Sequence, residues 1–98
     1  MANVRIWGPY TWTIAGLWQP NTYWYPEWYP PSDVDITNGT ITFTAHAVAT
    51  TWEISSTIAV IETRSVKDAY NHYVQCKILN MGRDAMPAFV GYFTLIQP

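Results

Sequence analysis

Tyr23, Trp24, Tyr25, Trp28 and Tyr29 stand within seven residues, with Trp18 upstream and Pro20, Pro26, Pro30 and Pro31 set among them. A flat π face of this kind has two uses. Left exposed, it meets the weakly positive C–H groups of a pyranose, while polar neighbours fix the hydroxyls. Gln19, Asn21, Glu27 and Asp33 are the polar neighbours available. Enclosed, each ring buries a large area and seals a core or an interface. The candidate ligand or interface residues are therefore Trp18, Gln19, Asn21, Tyr23, Trp24, Tyr25, Glu27, Trp28, Tyr29 and Asp33. The expectation places Trp7 and Trp12 in the core or an interface, and Trp24, Tyr25, Trp28 and Tyr29 at partly exposed positions of the proline-rich stretch.

Other chemistry finds little support. Nucleophilic catalysis needs a nucleophile, a base and an orienting group held together. The histidines are His46 and His72, no Gly-x-Ser-x-Gly elbow exists, and Cys76 is the only cysteine. Cys76 reads as a small apolar strand residue, and an intrachain disulfide is excluded. Asp33-x-Asp35 puts two carboxylates on one face beside Asn38, but Ca²⁺ takes six or more oxygens, so a charged strand edge is the simpler reading. Glu27 and Asp33 have no spacing that fixes a glycosidase separation. No catalytic residue, metal or cofactor is expected, and the chain is read as not an enzyme. Asn38-Gly39-Thr40 has the form of a glycosylation acceptor, yet Asn-Gly is first of all a turn dipeptide.

Charge narrows the partners. The 98 residues carry a formal net charge of −2, with five scattered Lys and Arg, and charged residues make up 12% of the chain. Nucleic-acid binding needs clustered cations, so it is not expected. Few charges leave much neutral surface of the kind that another subunit or a ligand covers. No apolar leader and no run of membrane-span length is visible. The expectation is a soluble chain, cytoplasmic or released by a route without a leader, with its compartment left open.

The elements that must position these residues are strands. Residues 10–15 alternate, with Tyr10, Trp12 and Ile14 on one face. A short strand precedes them over 3–7, and Gly8-Pro9 separates the two. Prolines forbid a helix or central strand over 16–33. A brief strand over 22–25 and an ordered loop over 26–33 are expected there. After the Asn38-Gly39 turn, Ile41, Phe43, Ala45 and Ala47 share a face. Residues 52–64 follow, with Ile54, Ile58 and Val60 on one face, then a turn over 68–71. Residues 72–80 point Val74, Cys76 and Ile78 inward, and residues 80–84 turn. The last strand, 88–96, has Phe89, Phe93 and Leu95 on one face and Val90, Tyr92 and Ile96 on the other. Apolar residues on both faces point to cover on both sides, for instance by a second subunit. The fold class is all-β: one domain over 1–98, a single antiparallel β-sandwich of about seven strands, immunoglobulin-like or jelly-roll-like.

Tyr73-Val74-Gln75-Cys76-Lys77-Ile78-Leu79-Asn80-Met81-Gly82, followed by Phe89-Val90-Gly91-Tyr92-Phe93, resembles bacterial immunoglobulin-like or fibronectin-like modules of the CARDB (cell-adhesion-related) kind. Those modules similarly end an alternating strand in Asn-x-Gly and follow it with an aromatic strand. The resemblance covers the last third of the chain. It implies a non-catalytic adhesion or interaction module and supplies no site residues.

Taken together, the expectation is a β-sandwich acting by self-assembly or protein binding through an aromatic-rich surface. The contact would be the Trp/Tyr loop and one face of the last strand. The alternative is a lectin-like module binding carbohydrate on Trp24, Tyr25, Trp28 and Tyr29. Partners are a second copy of the chain, another protein or a glycan.

Overall fold

The computed structural model describes residues 3–36, 38–48, 57–68 and 72–98. Their regular structure is all β: β1 (Asn3–Trp18), β2 (Tyr23–Trp24), β3 (Glu27–Trp28), β4 (Thr40–Val48), β5 (Ile58–Lys67), β6 (His72–Asn80) and β7 (Met86–Gln97). They form two antiparallel sheets. The first has the order β1-β7-β4. In the second, β6 is central, with β2 and β3 along one side and β5 along the other. This is the sandwich that the alternation predicts.

The two inner faces meet in an aromatic core. The buried set includes Ile14, Phe43, Phe89, Phe93 and Leu95 from the first sheet and Trp28, Val74, Cys76 and Ile78 from the second. Trp28 stacks on Phe93 at 4.4 Å, and Trp12 stacks on Phe89 at 5.0 Å. Ring pairs of this kind contribute about 0.5–1.5 kcal/mol each beyond the area they bury. Gly91 makes room for them. A Cβ there would lie 2.4 Å from the Phe43 ring and 3.0 Å from Trp12.

Several boundaries differ from the sequence reading. Gly8-Pro9 does not end a strand, because β1 runs on through a bulge. Trp7 pairs with Phe93 and Tyr10 with Gly91, so three steps along β1 match two along β7. The extra residue restores Trp7 and Tyr10 to the same inner face. Gly8 has φ +127, and a Cβ on it would meet the Gly91 carbonyl at 2.8 Å. The stretch 26–33 was expected to hold no strand, yet it contains β3. Proline removes a donor but keeps its acceptor, and the Pro26 carbonyl accepts from the Cys76 N–H at 2.9 Å. β7 begins at Met86 rather than residue 88, and β5 (Ile58–Lys67) runs past residue 64, while residues 52–56 lie outside the described residues. Ile54 and most of the 68–71 turn lie outside the described residues. No helix among the described residues is long and apolar enough to cross a membrane.

Candidate functional site

The aromatic stretch is divided by the strand period. As it runs along β6, Trp24 stands opposite Ile78 and Trp28 opposite Val74. Those β6 residues face the core, so the tryptophans do as well. Pro26 is also buried. The intervening residues Tyr23, Tyr25, Glu27 and Tyr29 point to solvent.

This corrects the expected surface. Trp28 is 8% exposed and Trp18 only 2%, so both are core and neither can meet a partner. Trp24 is half-buried and packed against the same core. Trp18 Nε1 donates to the Thr22 carbonyl at 2.9 Å, which ties the end of β1 to the start of the aromatic stretch. Trp7 and Trp12, expected in the core or an interface, are half-buried and packed against it.

Gln19, Asn21 and Asp33 are exposed but lie outside the ladder with β6. Gln19 accepts at its carbonyl from Thr22 Oγ1 at 2.6 Å. Asn21 takes a left-handed φ of 60° and donates its N–H to the Asn80 carbonyl at 2.8 Å. These are turn duties.

What remains outward on the second sheet is an ordered set. Lys77 Nζ sits over the Tyr23 ring at 4.3 Å. Gln75 Nε2 donates to Glu27 Oε1 at 3.1 Å. Tyr29 and Tyr73 lie 5.6 Å apart. Beside them is a shallow depression of about 240 Å³, lined by Tyr25, Glu62, Arg64, Gln75, Cys76 and Lys77.

The outer face of the first sheet has another character. Its cross-strand rows are Val4, Ile96 and Thr40; Ile6, Thr94 and Thr42; Tyr92 and Thr44; Thr11, Val90 and His46; and Thr13, Ala88 and Val48. None of these residues is an Asp, Glu, Lys or Arg. Val4 and Ile96 are exposed, and Ile6 is 64% exposed. The expected cover over the outer face of β7 comes in part from within the sheet: Val90 and Tyr92 are half-buried, while Ile96 stays open. The signal for this face was legible, since residues 40–48 and 86–97 contain no charge at all.

Three further side chains have chemistry of their own. His46 lies on the outer face and meets Tyr92 edge-on at 6.1 Å. His72 Nε2 is enclosed with no hydrogen-bond partner among the described residues. Burial pushes the Cys76 thiol up from 9.0 to about 11, with a Thr63 hydrogen bond opposing in part. Among the described residues no group of three or more His, Cys, Asp or Glu is arranged to hold a metal ion.

Asn80 is the residue that sequence reasoning undervalued. It is a fully buried polar group. Its Nδ2 donates to the Trp18 carbonyl and the Asp84 carbonyl, both at 3.0 Å, and its Oδ1 accepts from the Gly82 N–H at 2.9 Å. The Asn-x-Gly spacing was its trace, because an Asn side chain mimics a turn of backbone to reach two residues ahead. Comparison of the chain with protein-family models, curated proteins and solved structures found no match to any of the three.

Proposed function

We propose that this protein is a non-catalytic assembly module whose contact surface is the outer face of β1, β7 and β4, and whose first partner is a second copy of itself. The observation that carries this reading is the missing charge. Across those three strands Arg5 is the one charged residue, and it stays with its own chain, its guanidinium 4.9 Å from the Trp7 ring centroid. A two-fold contact sets the same surface against itself. Any charge on that surface would be desolvated and brought near its own copy, both of which are unfavourable. Thr, Val, Ile, Ala and Tyr carry no such cost.

Size limits the strength. Three strands about 4.8 Å apart and roughly 30 Å long give on the order of 400 Å² in projection. A standard interface removes about 800 Å² of accessible surface from each partner. The expected complex is therefore weak and concentration-dependent. Sedimentation velocity across two decades of protein concentration should show a rising weight-average mass, and Ile6→Lys should abolish the rise without unfolding the chain. A wild-type chain that stays monomeric at the highest concentration, or association that ignores Ile6→Lys, overturns the reading.

A further inference from the structure

The opposite face of the sandwich carries a separate inference, independent of self-association. We infer that the depression beside Tyr25 on the outer face of β5 and β6 binds one ring of a neutral saccharide, with Tyr23 and Tyr29 available to stack the neighbouring rings. The tyrosines are placed for it by the same alternation that encloses the tryptophans. Tyr23, Tyr25 and Tyr29 are 46%, 55% and 62% exposed on one edge of one sheet face.

The lining fits a polyol. Arg64 and Lys77 offer donors, Glu62 offers acceptors, and the Gln75 amide offers both. A pyranose presents hydroxyls that donate and accept, so it uses both kinds. The signs of charge are mixed within the depression, with Glu27 beside it. An anion would meet carboxylates as well as cations and gains no clear preference. The volume of about 240 Å³ lies below the ~300–1,000 Å³ of pockets for drug-sized ligands, which suits a single ring, with further rings running over the flanking tyrosines.

The site is also held in place before any ligand arrives. Glu27 fixes Gln75, the Tyr23 ring steadies Lys77, and Tyr73 supports Tyr29. Side chains ordered in advance lose less freedom on binding. A proline-rich peptide is the other occupant that an aromatic groove suits, but it seats prolines in apolar slots between rings. Here the groups between and beside the rings are Glu62, Arg64, Gln75 and Lys77.

The test is a nuclear magnetic resonance titration of the full chain. The probes are cellohexaose, mannohexaose, xylohexaose and N-acetylchitohexaose, with a proline-rich decapeptide as counter-probe. At least one saccharide should give saturable shifts centred on Tyr25, Glu62, Gln75 and Lys77. Tyr25→Ala and Glu62→Gln should each weaken that binding about tenfold, with the thermal midpoint unchanged because both side chains are exposed. Ile6→Lys should leave it unaltered. Silence from all four saccharides at millimolar concentration, binding that ignores both variants, or binding of the peptide alone overturns the inference.

Discussion

The two sheets share one core and differ on the outside. β1, β4 and β7 hold a single charged residue, Arg5, whereas the strands of the second sheet hold Glu27, Glu62, Arg64, Lys67 and Lys77. Both inner faces have to be apolar, because each covers the other. Nothing in the sandwich dictates the outer faces, so their divergence bears on function more directly than any feature of the core. At the edges the contrast is confined to β4, since β1 carries Arg5, Pro9 and a bulge of its own. The second sheet is bounded by a segment broken by prolines on one side and by the bulged, charged β5 on the other. Bulges, prolines and charges are the devices that keep an edge from pairing with another chain. On β4 there is neither proline nor charge, and its outer face is rich in threonine.

The boundary between core and surface within the aromatic stretch is where this contrast is easiest to break. Trp28→Ala removes a ring stacked on Phe93 and packed near Trp7 at 5.1 Å. The expected loss is about 3–5 kcal/mol of folding stability, typical of a buried aromatic reduced to alanine. Urea unfolding measures it. A variant as stable as the wild type would return Trp28 to the surface, beside the tyrosines of the second sheet. Asn80→Ala is the next largest effect. It removes the bonds to the Trp18 and Asp84 carbonyls and from the Gly82 N–H at a buried position, for an expected cost of about 2–3 kcal/mol. Asn80→Asp keeps the acceptor for Gly82 but loses both donors, so it should not rescue the fold.

How much of this was legible beforehand follows from the strand period. The alternation in residues 10–15, 40–48 and 72–80 is regular, and it placed Ile14, Phe43, Val74, Cys76 and Ile78 inside, where they are. The same rule applied to Tyr23-Trp24-Tyr25-Pro26-Glu27-Trp28-Tyr29 separates tyrosines from tryptophans. It was masked there by the prolines, which ordinarily argue against a strand. An edge segment bonded on one side needs only part of its donors, so it tolerates Pro26 and keeps its period. Inserted residues were the other source of error. The Gly8-Pro9 bulge resets the parity of β1, and a bulge between Val60 and Glu62 resets that of β5. Local sequence does not reveal which strand supplies the unmatched residue. The charge-free stretches 40–48 and 86–97 were legible one at a time, and it took the order β1-β7-β4 to join them into one face.

The buried thiol gives a smaller, pH-dependent handle on the core beneath the second sheet. Cys76 titrates near 9.0 when free and is pushed up to about 11 by burial. Folding thus favours the protonated thiol. Its contribution is fully present below pH 9 and is lost as pH rises from there through 11. Urea unfolding of the wild type and Cys76→Ala should show a gap in stability that is constant up to pH 9 and narrows above it. Taking the difference between the two chains cancels every contribution that they share. A gap independent of pH up to 11 would mean that the thiolate is as well solvated in the fold as out of it, and that β6 is not closed over its inner face.

The smallest expected effects on stability separate the two outer faces most sharply. Ile6 and Tyr25 are both more than half exposed, so Ile6→Lys and Tyr25→Ala should each change folding stability by no more than about 0.5 kcal/mol. On the proposed functions they should act in opposition. Ile6→Lys brings a cation to the uncharged face and should leave a monomer that still binds saccharide. Tyr25→Ala should leave a chain that still associates and holds the sugar ring about tenfold more weakly. The double variant should show both losses and nothing further, because the two sites lie on opposite sheets and distant sites add. If either single variant removed both activities, association and ligand binding would share one surface, and the division of the sandwich into a dry face and a polar one would fail.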